Sequence, residues 1–179
     1  MRLFIAINFE EEIKNRLCEA IGYLRENSLQ GNFTGRENLH LTLVFIGETQ
    51  REEEIRRAMD AVRAEPFALK IGGLGLFKRQ GGDLYWMGVE AGSTLTAVYS
   101  QLYDELSRSG FRLESRAYKP HLTLGREVVL QDGFDRGAFD KAFPQMTVQA
   151  EKISLMKSER IGGRLVYTEI YARRLEKAE

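Results

Sequence analysis

Residues 67–73 (FALKIGG) and 84–90 (LYWMGVE) are two short apolar segments on either side of the polar, glycine-containing residues 78–83 (KRQGGD). Segments of this length with apolar and aromatic side chains are typical of strands, and Gly-Gly-Asp between them is typical of a turn. The two segments therefore predict a hairpin, whose strands run antiparallel because no helix fits between them. This hairpin favours an α+β fold with antiparallel sheets over an all-parallel doubly wound sheet.

The rest of the chain alternates between strand-like and helix-like patterns. Residues 32–38 are polar, contain glycine and predict a loop. No linker rich in proline, glycine or serine divides the chain, so residues 1–179 are expected to form a single domain. Strands are predicted at residues 2–8, 40–46, 121–128, 147–157 and 164–172, and helices at about 10–24, 50–65, 93–109 and 134–143.

The composition is that of an ordinary globular protein. Apolar residues make up 43% and charged residues 29%, which excludes disordered, collagen-like and coiled-coil chains. The 26 basic and 26 acidic side chains cancel, so there is no global positive field that would hold duplex nucleic acid. Cys18 is the single cysteine and fits a reducing compartment. Because no signal-like or membrane-length apolar run occurs, we expect a soluble, cytoplasmic monomer without membrane contact.

Both histidines of the chain begin the same tetrapeptide, His-Leu-Thr-Leu. Box 1 is His40–Leu43, and box 2 is His121–Leu124, 81 positions later. On a strand, side chains two residues apart project from the same face, so each histidine projects together with Thr42 or Thr123 while the leucines anchor the strand in a core. If the two strands face each other, two imidazoles flank a pocket with two hydroxyls in its floor.

Two imidazoles and two hydroxyls around one pocket suit phosphodiester chemistry. One imidazole can take a proton from an attacking water while the other, protonated, gives a proton to the departing oxygen. Histidine suits both roles because its unperturbed pKa, about 6.5, lies near neutral pH. The hydroxyls can donate to non-bridging phosphate oxygens, where charge accumulates in the transition state.

The paired boxes resemble the two signatures of the 2H phosphoesterase superfamily. Within it, four segments are similar to the bacterial and archaeal RNA 2′,3′-cyclic phosphodiesterases, once called 2′-5′ RNA ligases. The segments are MRLFIAI (1–7), ENLHLTLVFIGE (37–48), YKPHLTLGR (118–126) and LMKSERIGGRLVYTEI (155–170). The resemblance spans nearly the whole chain.

The resemblance implies a bilobal, pseudo-twofold fold in which two antiparallel sheets carry outer helices and the boxes face each other across a central cleft. It implies hydrolysis of a 2′,3′-cyclic phosphate, on an RNA end or a nucleotide, to a 2′-phosphate. In that reading His40 protonates the leaving 3′ oxygen and His121 activates the water, while Thr42 and Thr123 bind the phosphate. No cofactor is expected, and two histidines on separate strands make a poor zinc site.

Two other functions fit the same residues. The first is the reverse reaction, 2′-5′ ligation of RNA halves, which microscopic reversibility allows but which water at about 55 M opposes unless the cleft excludes solvent. The second is an RNA-end binding module that turns over little, although both histidines and both threonines argue against it. Product ratios with paired RNA halves separate the first from hydrolysis, and tight binding without product identifies the second.

Residues near the boxes are candidates for further contact with RNA. Arg126 continues the second strand, and counting by two from His121 turns it away from the pocket, although the resemblance favours an RNA contact. Tyr118 can stack on a base and Lys119 can meet a phosphate, or both can be a packed aromatic and a surface lysine. Tyr85 and Trp86 alternate faces, so one is expected in the core and the other can border the cleft.

Overall fold

The computed structural model describes residues 1–177 and consists of nine strands and four helices in that range. A turn of 3-10 helix at Arg36–Asn38 precedes box 1. The strands are β1 (Arg2–Asn8), β2 (Ser28–Phe33), β3 (His40–Glu48), β4 (Phe67–Phe77), β5 (Asp83–Val89), β6 (His121–Leu130), β7 (Met146–Ala150), β8 (Lys152–Ile161) and β9 (Arg164–Arg174). The helices are α1 (Glu11–Glu26), α2 (Glu52–Asp60), α3 (Ser93–Arg108) and α4 (Arg136–Ala142).

The strands form two antiparallel sheets, as the hairpin pattern predicts. The first sheet has the order β3-β1-β8-β9 and carries box 1 on its edge strand β3. The second has the order β2-β6-β5-β4-β7 and carries box 2 on β6, between β2 and β5. The predicted hairpin is β4–β5, and its strands pair from Ile71↔Val89 to Phe77↔Leu84. The α+β class and the two antiparallel sheets are confirmed.

Helices cover the outer side of the sheets and bury an apolar stripe against them. In α3 the side chains of Leu95, Val98, Leu102 and Leu106 recur at helical spacing, and each is almost completely buried. They belong to one continuous core that also contains residues of both sheets. The leucines of both boxes lie in this core, because alternation along a strand turns them away from the histidines.

The main difference from the sequence prediction is β2. Residues 32 and 33 were predicted as loop, but they end a strand that pairs with β6 from Ser28↔Leu130 to Phe33↔Gly125. The strand lies at the edge of the second sheet, and most of its residues are exposed. It therefore has no alternating apolar pattern, and pairing with β6 rather than local propensity makes it a strand.

Both boxes contain a β-bulge at the same place. In box 1 the register runs from Ala6↔Thr42 to Ile5↔Val44 and passes over Leu43. In box 2 it runs from Trp86↔Thr123 to Tyr85↔Gly125 and passes over Leu124. The threonine therefore precedes the extra residue in each box, and after it the strand shifts its facing by one residue. The two boxes therefore share the same local departure from a regular strand.

Candidate active site

The structure brings the two boxes together. Strands β3 and β6 contact each other although they belong to different sheets. His40 and His121 are both half-buried, and they are close enough for the charge of His121 to act on the pKa of His40. The side chains of Thr42 and Thr123 are half-buried in the same way. The convergence expected from the repeated tetrapeptide is therefore present.

Each imidazole is oriented by a backbone carbonyl two residues before it. The Nδ1 atom of His40 lies 2.7 Å from the carbonyl oxygen of Asn38, and Nδ1 of His121 lies 2.6 Å from that of Lys119. A carbonyl oxygen only accepts hydrogen bonds, so Nδ1 carries the proton in both neutral rings. In each ring, Nε2 is therefore the nitrogen that can exchange a proton with a ligand. In box 1 this atom lies 2.9 Å from the hydroxyl of Thr42.

Aromatic rings surround both histidines. The ring of His40 lies 4.9 Å from that of Phe4 and 5.1 Å from that of Tyr167. The ring of His121 lies 5.2 Å from that of Phe77 and 6.0 Å from that of Trp86. Each imidazole is thus flanked by two aromatic rings. Phe4, Phe77 and Tyr167 were not predicted from the sequence, although Phe4 alternates in phase with Asn8, the strand partner of His40.

Burial lowers the pKa of His40 below its ordinary value. The positive charges of Arg126 and His121 lower this pKa further, whereas the hydrogen bond to the Asn38 carbonyl acts in the opposite direction. Burial also raises the pKa of Tyr167, against the effect of Arg126 and Arg2. The Tyr167 phenol therefore stays protonated beside His40 and keeps a hydroxyl that can donate.

Arg126 faces the cleft, and the expectation that it points away was wrong. Counting by two along β6 assumes a regular strand, but the bulge at Leu124 shifts the facing of the residues after it. Arg126 is exposed, and its charge acts on both His40 and Tyr167 across the cleft. The corresponding position in the other half is Phe45, an exposed aromatic with the guanidinium of Arg2 5.1 Å above its ring.

Tyr118 has a defined place in the structure. Its hydroxyl donates to the carbonyl of Thr42 at 2.9 Å, and its ring stacks on Tyr99 with centroids 4.3 Å apart and planes 5° apart. These contacts favour the packed alternative, and base stacking by Tyr118 stays a prediction. Lys119 is exposed, and besides its side chain it contributes the carbonyl that orients His121.

Tyr85 and Trp86 behave as their alternation predicts. Tyr85 is buried in the core, and Trp86 lies against His121 in the cleft. Trp86 also lies flat over Gly75, its partner on β4, where an added Cβ would come within 2.1 Å of the indole. Gly75 therefore allows the indole to reach the histidine, which no local sequence signal indicates.

Metal sites and membrane-spanning helices are both absent from the part of the chain that the structure describes. Within residues 1–177, no group of three or more His, Cys, Asp or Glu side chains is arranged to hold a metal ion. In the same range, no helix combines the length and the apolar character needed to cross a membrane. Whether the reaction is metal-independent stays a prediction for the assay described below.

Comparison with known proteins agrees with this geometry. An RNA 2′,3′-cyclic phosphodiesterase of Thermotoga maritima is 35% identical over 163 residues, which cover 88% of this chain and 87% of the relative. One of Methanothermobacter thermautotrophicus is 29% identical and covers 98% of this chain and 99% of its own. The crystal structure of E. coli LigT complexed with 3′-AMP superposes with a TM-score of 0.78 at 26% identity, covering 98% of both chains.

A protein of Thermus thermophilus has the same fold, with a TM-score of 0.79 at 24% identity over the whole of both chains. A family model described as the 2′-5′ RNA ligase superfamily matches residues 11–162. The resemblance carried by the two boxes is thereby confirmed, and the chain belongs to the 2′-5′ RNA ligase superfamily.

Proposed function

We propose that the protein hydrolyses 2′,3′-cyclic phosphates at RNA ends or on nucleotides to 2′-phosphates. The observation that carries this proposal is the pair of imidazoles, one from each sheet, whose Nδ1 atoms are held by backbone carbonyls so that Nε2 is left for proton transfer. The relatives named RNA 2′,3′-cyclic phosphodiesterase support the substrate class, since they cover most of this chain. The complex of E. coli LigT with 3′-AMP supports a nucleotide in the cleft.

In the proposed reaction, Nε2 of His121 takes a proton from water while the water oxygen attacks phosphorus. The bond between phosphorus and the 3′ oxygen breaks, and His40 delivers a proton from Nε2 to that oxygen. The products are a 2′-phosphate and a free 3′ hydroxyl. An in-line displacement needs the base and the acid on opposite sides of phosphorus, and two walls that each contribute one imidazole provide this arrangement.

The protonation of His40 depends on the substrate. In the free protein, burial and the charges of Arg126 and His121 lower the pKa of His40 and favour the neutral ring. A bound cyclic phosphate places one negative charge beside His40 and Arg126, which raises the pKa of His40 and favours the protonated ring. Substrate binding therefore favours the protonated form of His40, which its proposed role as general acid requires.

Arg126 and the two threonines are proposed as the phosphate contacts. The guanidinium of Arg126 is exposed on the cleft side and can meet non-bridging oxygens, which it binds in a fork geometry. The hydroxyls of Thr42 and Thr123 can donate to the same oxygens, where charge develops. Lys119 and Tyr118 remain proposed RNA contacts, and the protein is proposed to act in the cytoplasm as a monomer.

The test is a product-resolved assay on one oligonucleotide with a 2′,3′-cyclic phosphate end, in the presence of excess chelator. The proposal predicts a 2′-phosphate and a 3′ hydroxyl as products. His40→Ala and His121→Ala are each expected to lower kcat by about 10²–10⁴, the usual contribution of a general acid or base. A 3′-phosphate product, or loss of turnover with chelator, would contradict the proposal.

A further inference from the structure

Two hydroxyl groups link the boxes crosswise. The Thr34 hydroxyl donates to the backbone carbonyl of Thr123 at 2.8 Å, and the Tyr118 hydroxyl donates to the backbone carbonyl of Thr42 at 2.9 Å. Thr34 lies in the segment that leads into box 1, but its hydroxyl is hydrogen-bonded to box 2. Tyr118 lies in the segment that leads into box 2, but its hydroxyl is hydrogen-bonded to box 1. The two links are therefore reciprocal.

Both links end at an equivalent point of the catalytic strands. Each accepting carbonyl belongs to the residue just before the bulge, where the regular ladder is interrupted. The backbone amide of Thr34 adds a second bond at this point, to the carbonyl of Leu124 at 3.0 Å. Each hydroxyl thus adds a hydrogen bond to the backbone next to the residue that the ladder passes over.

The same two segments orient the histidines. The segment from Thr34 to Asn38 contributes the carbonyl that holds His40, and Lys119, next to Tyr118, contributes the one that holds His121. A displacement of either segment therefore moves one imidazole directly and releases the other box at the same time. This coupling gives the links a larger effect on the distance between the imidazoles than two isolated hydrogen bonds would have.

The Tyr118 hydroxyl is fixed in the position from which it donates its hydrogen bond to Thr42. Its ring is stacked on Tyr99 of α3, which limits the positions that the hydroxyl can take. Burial raises the pKa of Tyr118 well above its ordinary value, so the phenol keeps its proton at neutral pH. The link to Thr42 is therefore present at neutral pH.

We propose that Thr34 and Tyr118 are positioning residues, whose crossed links to Thr123 and Thr42 set the separation of the two imidazoles. The proposal rests on the proposed function, because that separation matters only for a reaction that uses both rings. Neither residue needs to touch the substrate. Misplacing reacting groups by about 1 Å can cost about a hundredfold in rate, so loosening either link is expected to act on kcat.

The experiment compares near-isosteric variants. Tyr118→Phe and Thr34→Val each remove one hydroxyl and are expected to lower kcat about tenfold while KM changes less than about twofold. Thr34→Ser keeps the hydroxyl and is expected to retain most of the wild-type kcat. Tyr99→Phe is the matched control for Tyr118→Phe, because it removes a neighbouring phenol and leaves the link to Thr42 in place.

A second readout does not depend on turnover. In the free protein, NMR titration of the two histidine rings reports the pKa of His40, which faces Arg126 and His121 of β6 and Tyr167 of β9. Loosening a link is expected to admit water and to move His40 away from Arg126, so the pKa of His40 is expected to rise in Tyr118→Phe and Thr34→Val. It is expected to stay unchanged in Tyr99→Phe.

The outcomes separate the two proposals. If the wild-type protein does not hydrolyse the cyclic phosphate, the proposed function fails, and the titration alone decides whether the links position the rings. If the wild-type protein is active, a kcat within about twofold of wild type in both hydroxyl-free variants overturns the positioning role. Equal losses in Thr34→Ser and Thr34→Val, or in Tyr99→Phe and Tyr118→Phe, also overturn it. So does an unchanged His40 titration.

Discussion

Gly75→Ala should damage the active site without changing any polar or charged group. The added Cβ would stand 2.1 Å from the indole of Trp86, and the ring must retreat by about 1.3 Å to restore an ordinary separation of 3.4 Å. The indole cannot bend, and it is packed against Phe77 at 5.4 Å as well as against His121. The displaced indole therefore moves the His121 ring, and we expect kcat to fall about tenfold to a hundredfold.

Two measurements follow the change. Trp86 is the only tryptophan of the chain, so its emission spectrum reports directly whether the indole has moved. Overpacking of this size costs about 1–3 kcal/mol, which corresponds to a loss of several degrees in Tm and leaves the protein folded for the kinetic assay. Unchanged emission together with a kcat within about twofold of wild type would refute the reasoning.

Gly22→Ala is the matched control. Gly22 lies inside α1, and nothing stands within 4 Å of the Cβ that the substitution adds. Replacing a helical glycine by alanine is expected to raise the free energy of unfolding by about 0.5–1 kcal/mol. Turnover of the cyclic phosphate and the Trp86 emission should stay at their wild-type values. A loss of activity in Gly22→Ala would mean that the effect of Gly75→Ala cannot be assigned to the contact with Trp86.

Three further predictions concern charge, pH and stability. Arg126→Gln should raise the pKa of His40, because it removes a positive charge that lowers it, and should raise KM; NMR titration and kinetics test both. If His40 is the acid, activity is lost as pH rises through the pKa of His40. The parameter kcat/KM follows this pKa in the free protein, and kcat follows it in the substrate complex, where the phosphate raises it. We therefore expect kcat/KM to decline at a lower pH than kcat. Asp135→Ala should cost about 1 kcal/mol of stability in denaturant unfolding at unchanged kcat, because the Asp135 side chain caps α4 through the amide of Ala138.

The sequence located the two histidine–threonine pairs because their signal is local. Alternation along a strand requires only the identity of neighbouring residues, so His40 with Thr42 and His121 with Thr123 could be assigned to a common face each. The same local rule separated Tyr85 in the core from Trp86 beside His121. The repetition of the tetrapeptide then indicated that the two faces serve one site.

The rule failed where the backbone departs from regular geometry. Arg126 follows the bulge at Leu124, and a bulge depends on how β6 pairs with β5, which the sequence of β6 alone does not specify. The edge strand β2 was missed for a related reason. Its residues are mostly exposed and carry no apolar pattern, and only pairing with β6 makes them a strand.

Composition and local pattern determined that this chain forms antiparallel sheets with helices, and that two histidine–threonine pairs project from two of its strands. The tertiary structure alone decided that Arg126 faces the cleft and that Gly75 leaves space for the indole beside His121. It also decided that Thr34 and Tyr118 are each hydrogen-bonded to the opposite box. The physical reason is distance along the chain. Periodicity reports only a residue's nearest neighbours, whereas these contacts join residues that lie far apart in sequence and meet only after the two sheets have packed.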